Sequence, residues 1–249
     1  MSPSATGFLE VLGATHLLVG VDEASSRRSG LGAVAVVDLA TANQLAPDLV
    51  LVEALPATDD PAPGAHPAGG AERVVFDPHD MEDLLALSRS LGERLVGKVA
   101  TLAFERELTR PLALIAGASF GRPRPRVVAV TGFDPLEFAG GHSFETDLIE
   151  IAGGTSVTHG GEESRLGLPE NGWLELDPDL VLVFSREVLG SAQRRTAREK
   201  LPAGYGVAFF AFDREGFWIH DAEETARELR SLLLRTWSVE QDPQVLPTR

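Results

Sequence analysis

The chain of 249 residues contains no cysteine. That removes disulfides, thiol nucleophiles and thiolate metal sites together. No apolar run approaches bilayer length, so no membrane span is expected. Positive charge is scarce: 22 Lys and Arg against 37 Asp and Glu leave a net charge of −15. Nucleic acid is excluded as a partner on that balance, because phosphates call for a basic surface. Anionic lipid would be repelled for the same reason. Catalytic signatures are missing as well. There is no Gly-x-x-x-x-Gly-Lys phosphate loop, no Gly-x-Gly-x-x-Gly after a strand and no Gly-x-Ser-x-Gly elbow. Of the six His, five show no paired spacing of the kind metal-binding helices use. No enzyme, no resident cofactor and no metal held by side chains alone are therefore expected. Met1-Ser2-Pro3-Ser4 shows no basic segment followed by an apolar stretch, and on that reading the chain stays in the cytoplasm.

What the sequence does contain is an internal echo. Pro47-Asp48-Leu49-Val50-Leu51-Val52 recurs identically as Pro178-Asp179-Leu180-Val181-Leu182-Val183. A second pair, Phe8-Leu9-Glu10-Val11-Leu12-Gly13-Ala14 and Leu148-Ile149-Glu150-Ile151-Ala152-Gly153-Gly154, runs in the same order. Two ordered pairs at similar offsets predict two lobes built on one plan. The Pro-Asp-led runs are short, apolar and β-branched, as in strands buried on both faces of a parallel sheet. The other pair shows apolar spacing of three and four followed by Gly, a helix with its C-cap. Further strands are predicted at 16–21, 73–76, 126–131 and 206–211. From Gly92 to Ala118 the apolar residues recur at helical spacing, with Pro111 inside to kink the helix or end it early. The expected organisation is an α/β lobe over 1–91, a connecting long helix over 92–120, a second α/β lobe over 121–237 and a loosely ordered tail over 238–249. The fold class is thus α/β, two Rossmann-like lobes with parallel sheets joined by one long backbone helix.

Ser2-Pro3-Ser4-Ala5-Thr6, Leu12-Gly13 and Val19-Gly20-Val21 together resemble the opening of the substrate-binding proteins of cobalamin and siderophore ABC importers. Phe133-Asp134-Pro135, Gly140-Gly141-His142 and the segment 148–154 resemble the start of their second lobe. The cobalamin-binding branch is the most similar. The resemblance spans Ser2 to about Leu234, and order and spacing of several segments carry it rather than one motif. It implies a ligand held between two lobes, a corrinoid in the first place, and delivery to an ABC permease. A ferric siderophore or haem stays open as the ligand, and so does a cytoplasmic corrinoid sensor or handler without a transporter. The resemblance also implies a periplasmic or cell-surface address and a monomer. Three features depart from the family pattern. Met1 abuts the Ser-Pro-Ser segment, where relatives have a strand. Ala40 and Asn171 stand where a Glu usually precedes the Pro-Asp motif, and 22–36 is rich in Ser and Ala where relatives carry aromatic and Pro residues.

Parallel sheets bind ligands at the carboxyl ends of their strands. In the first lobe this selects Ser2, Pro3 and Ser4 at a helix start, with Asp22 and Glu53 after strands. Ser2 before Pro3 reads as an N-cap whose free N–H groups can face a ligand. In the second lobe it selects Phe133, Asp134, Gly141, His142, Ser143, Arg186, Phe217 and Trp218. A neutral imidazole suits cobalt or iron, so His142 is a candidate axial ligand. Gly140-Gly141 beside it would let a flat ring approach closely. Phe133, Phe217 and Trp218, with Phe144, could supply apolar walls. Asp59-Asp60 and Glu162-Glu163 are loop carboxylates of the two lobes, and the resemblance implies that one acidic residue on each lobe pairs with a permease arginine.

Overall fold

The computed structural model describes residues 3–28, 30–53, 70–168 and 172–241. Two compact units emerge: Met1–Pro78 with Asp83–Glu105, and His79–Glu82 with Arg106–Arg249.

Unit 1 begins with α1 (Pro3–Val11), which buries Ala5, Phe8 and Leu9 on one face. Phe8 meets Phe76 at 5.0 Å and the edge of Phe104 at 5.7 Å between ring centroids. The helix stops at Gly13, whose φ of 72° is left-handed. The Gly13 and Ala14 N–H groups then donate to the Glu10 and Leu9 carbonyls, which satisfies the last turn. β1 (Gly20–Val21), α2 (Glu23–Ser26), β2 (Ala35–Val36), α3 (Leu39–Ala42), β3 (Leu49–Val52) and β4 (Glu72–Val75) follow. The strands form two separate parallel pairs, β1 with β2 and β3 with β4. Of the strand predicted over 16–21, only Gly20–Val21 pairs; Thr15–Leu17 is a 3₁₀ turn.

α4 (Met81–Leu87) leads through a π-helical turn at Ser88–Gly92 into α5 (Glu93–Leu95). Gly97, left-handed at φ 84°, interrupts the helix predicted from Gly92. The long helix α6 therefore runs from Lys98 to Gly117. It continues past Pro111, which forfeits one backbone hydrogen bond without ending the helix.

Unit 2 contains β5 (Arg126–Phe133), β6 (Leu136–Ala139), α7 (Phe144–Ala152), β7 (Thr155–Ser156), β8 (Arg165–Leu166) and β9 (Leu180–Ser185). Then come α8 (Ser191–Glu199), β10 (Gly206–Ala211), α9 (Arg214–Gly216) and α10 (Ala222–Gln241). One six-stranded sheet takes the order β10-β9-β5-β6-β8, with β7 on β5. β5 lies parallel to both β9 and β7 and antiparallel to β6. Val127–Val130 and Leu180–Val183 are buried on both faces, which explains their unbroken apolar run. Phe138, Trp173 and Leu201 pack with Val128, Val130, Val181 and Val183, and α7 packs against α10. The expected tail after Trp237 continues α10 as far as Gln241.

The echo survives in the backbone. Each hexapeptide follows a 3₁₀ turn, Asn43–Leu45 or Gly172–Leu176. Each is preceded by a residue at φ 47°, Ala46 or Asp177. β3 and β9 both pair in parallel with the next strand, β4 and β10 respectively. α7 ends as α1 does: the Gly153 and Gly154 N–H groups donate to the Glu150 and Ile149 carbonyls, with Gly153 at φ 96°. The two strands differ on their other side, where β9 has β5 and β3 has no strand among the described residues.

Candidate ligand-binding site

The α7 N-terminus gathers the polar groups of unit 2. Ser143 is its N-cap: the side chain accepts from Thr146 N at 3.3 Å and donates to Gly140 O at 2.8 Å. Ser143 is fully buried, so its hydroxyl is spent on the helix rather than offered to a ligand. Gly140 and Gly141 are required for a different reason from the one expected. A Cβ at either would overlap a backbone carbonyl of this chain, Glu163 O or Gly161 O. The room beside them is filled by the 159–163 segment, not left open to a flat ring.

His142 is held beside this cap by its own N–H, which donates to Glu163 O at 3.2 Å. Its Nε2 lies 3.2 Å from Asp80 Oδ2, and 40% of the side chain stays exposed. His79 meets it edge to face, with ring centroids 5.9 Å apart. Phe144 N donates to His79 O at 2.8 Å, tying the His79-Asp80 segment to the first residue of α7. Arg214 donates to the same carbonyl and lies over the Phe144 ring, its guanidinium carbon 5.4 Å from the centroid. The result is a half-exposed imidazole with a carboxylate against one nitrogen and a guanidinium nearby, at the positive end of a helix.

Asp147 completes the cluster. Its Oδ2 accepts from Met81 N at 2.8 Å, so a carboxylate on α7 caps α4. Burial pushes its carboxyl up to about 6; the Met81 bond opposes this, the Asp80 charge adds to it, and His142 pulls it back down. Asp80, His79, Asp147 and Arg214 were not singled out by sequence reasoning. An acidic residue in the first turn of a helix was the one readable signal, and it fits Asp147.

The other expected residues fall in several places. Ser2, Asp59 and Asp60 lie outside the described residues. Pro3 opens α1, and Ser4 Oγ donates to Glu53 Oε1 at 3.4 Å. That bond joins the start of α1 to the carboxyl end of β3. Asp22 caps α2 through Ser25 N at 2.9 Å and Ser25 Oγ at 2.7 Å. Burial alone would raise its pKa, but the Ser25 bonds outweigh it and hold the carboxyl below its ordinary value. Phe133 ends β5, and Lys200 donates to its carbonyl at 3.1 Å. Asp134 and Arg186 are exposed on turns after β5 and β9, and Glu162 and Glu163 are exposed too. Phe217 and Trp218 are not on a loop. They sit in a π-helical turn, buried, against Phe144 at 6.1 and 5.0 Å. Their role is to fix the Phe144 end of α7 from behind, in the core.

No family model and no curated protein matches the sequence. Solved structures match the fold. A substrate-binding protein of an ABC transporter from Listeria monocytogenes EGD-e has a TM-score of 0.69 at 15% identity, over 94% of this chain and 97% of its own. The periplasmic haem-binding protein of Vibrio cholerae reaches 0.67 at 17% identity, over 92% and 95% of the two chains. The periplasmic vitamin B12-binding protein of Vibrio cholerae reaches 0.64 at 12%, over 95% of each. The α/β fold read above is the one these binding proteins share, and none of the three is described as an enzyme.

Proposed function

We propose that this chain is a substrate-binding protein that captures a metal chelate, a corrinoid in the first place, for an ABC permease. The observation that carries the reading is the half-exposed His142 imidazole at the start of α7, oriented by Asp80, within a fold shared by vitamin B12-binding and haem-binding proteins. A neutral imidazole is a ligand for cobalt and iron alike. The Asp80 carboxylate can fix the ring's tautomer by accepting from Nε2, a support that metal-binding histidines commonly have. Haem is the second reading, and the neighbouring His79 ring favours it by offering another imidazole 5.9 Å away. Delivery, not turnover, is the assigned task; the cluster contains no nucleophile activated by a base. Titrating the purified chain with cyanocobalamin, cobinamide, haemin and a ferric siderophore, by calorimetry and visible absorption, tests the proposal. Tightest binding of a corrinoid, with a shifted cobalt spectrum, is the expected result. Binding of none of the four would overturn it.

A further inference from the structure

α8 is a helix with little packed beneath it. Of its nine residues Ala197 is buried and the other eight are exposed. A helix of that length is marginal in water, and helices in proteins draw most of their stability from a packed face. What α8 carries instead is positive charge. Between positions 186 and 200, Arg186, Arg194, Arg195, Arg198 and Lys200 stand against Glu187 and Glu199, in a chain whose net charge is −15.

Arg194 and Arg198 are one helical turn apart and fixed in place. Each guanidinium carbon lies 5.6 Å from the centroid of the Phe209 ring. Arg194 Nε donates to Leu189 O at 2.9 Å, and Arg198 Nη2 donates to Val207 O at 3.4 Å. A carbonyl and an aromatic ring hold a guanidinium in position without neutralising it. Like charges one turn apart repel, so the pair favours two carboxylates at the same spacing.

The chain itself presents that match. A groove of about 690 Å³ runs along the first turns of α10 and reaches Phe209 and Phe210 of β10. Glu224 and Glu228 line it, exposed and likewise one turn apart. Of the groove's other charges, Glu223 pairs with Arg227 at 2.6 Å, and Arg235 turns back onto Ser231 O at 3.2 Å. The basic and acidic surfaces adjoin, because Phe209 both lines the groove and carries the two arginines. Adjoining complementary patches suit a two-fold axis: each patch of one molecule meets the other patch of its partner, and the contact closes at two copies.

We infer that the chain forms a two-fold homodimer through unit 2, with α8 of each copy against the α10 groove of the other. Arg194 and Arg198 pair there with Glu224 and Glu228, a departure from the monomer that the family resemblance implies. A second copy brings carboxylates at the required spacing, whereas nucleic acid or anionic lipid would meet the whole acidic chain. At about 0.1 M salt the Debye length is about 10 Å, so the net charge is largely screened while contacts at hydrogen-bond distance are not. Exposed ion pairs contribute little each, so the dimer is weak. Val188, 75% exposed just ahead of α8, is the apolar side chain that the contact covers.

Sedimentation equilibrium of the full chain without cargo, at roughly 1 mM, tests this at an affinity that a few exposed pairs can reach. In about 0.1 M salt the weight-average mass should be roughly 1.5-fold the monomer's or more, and in about 1 M salt it should return to the monomer's. Arg194→Glu with Arg198→Glu should leave a monomer, and so, separately, should Glu224→Lys with Glu228→Lys. Circular dichroism checks that both variants fold. Mixed in equal amounts, the two should associate as the wild type does, since both contacts re-form with their signs exchanged. A wild type that stays monomeric overturns the inference, as does association of either variant alone or a mixture that fails to associate. Wild-type association that persists in high salt overturns it too. Cargo is absent throughout, so failure here leaves the corrinoid titration to be judged by its own result.

Discussion

His142 and Asp147 carry the chemistry at the level of single residues, and each makes a separate claim. If His142 reaches the ligand, His142→Ala should weaken binding by about 1–3 kcal/mol, the cost of losing one hydrogen bond to a buried or charged group. A changed visible spectrum of the bound metal would add that the imidazole is an axial ligand. Calorimetry and absorption on the two proteins read both effects, and an unchanged affinity would return His142 to its pairing with Asp80. Asp147 is tested by pH. Its carboxyl rises from an ordinary 3.8 to about 6 on folding. Between those values the folded chain keeps a proton that the unfolded chain releases, so this group's contribution to stability falls as pH rises through that window. Asp147→Asn should flatten the dependence of stability on pH between 4 and 7. Asn can still accept from Met81 N, so at pH 7 the variant should gain roughly 1–2 kcal/mol. Urea melts across that range measure it, and an unchanged slope would place the perturbation elsewhere.

Helix ends are the elements most legible in the sequence, because glycine at a left-handed position leaves a mark that any reader can find. Gly13 and Gly153 both read as C-caps, and both are. They should not respond alike to substitution. A Cβ at Gly13 meets open space, so Gly13→Ala should cost only the left-handed strain, about 1–2 kcal/mol. A Cβ at Gly153 would also overlap the Ser119 hydroxyl, so Gly153→Ala should cost more. Thermal or denaturant melts of the pair decide it; equal losses would mean that Ser119 yields freely. Short elements were far less legible. β1, β2, β7 and β8 have two residues each, too few for any apolar period to register. β6 escaped notice because its hairpin partner β5 reads as one continuous apolar strand. The start of the long helix was misplaced because apolar spacing runs through Gly97, and only its positive φ breaks the helix there.

For the molecule as a whole, the duplication carried most of what could be read. A repeated hexapeptide and a repeated helix cap were enough to predict two related α/β units, since both are local patterns that folding preserves. The candidate site was legible only in part. His142 was visible as a lone imidazole in a glycine-rich loop, but Asp80 and Arg214 come from segments 62 and 72 positions away in the chain. Nothing in local pattern brings such residues together; only the packing of His79 and Arg214 against Phe144 does. Phe217 and Trp218 were read as pocket walls because aromatics are scarce here, yet the same scarcity makes each one valuable to the core.

That distribution of aromatics has an optical consequence. All three tryptophans, Trp173, Trp218 and Trp237, and the single Tyr205 belong to unit 2. Intrinsic emission is therefore blind to unit 1, which holds only phenylalanine as a fluorophore. Loss of β1 to β4 would register in far-ultraviolet circular dichroism while the tryptophan signal stayed level. Denaturation followed by the two probes should give separate midpoints if the units melt independently, and one midpoint if they melt together. A corrinoid or haem bound at His142, by contrast, would lie within energy-transfer range of Trp218, which packs 5.0 Å from Phe144 at the start of the same helix, and dim it directly, leaving the protein to report its own cargo without any added label.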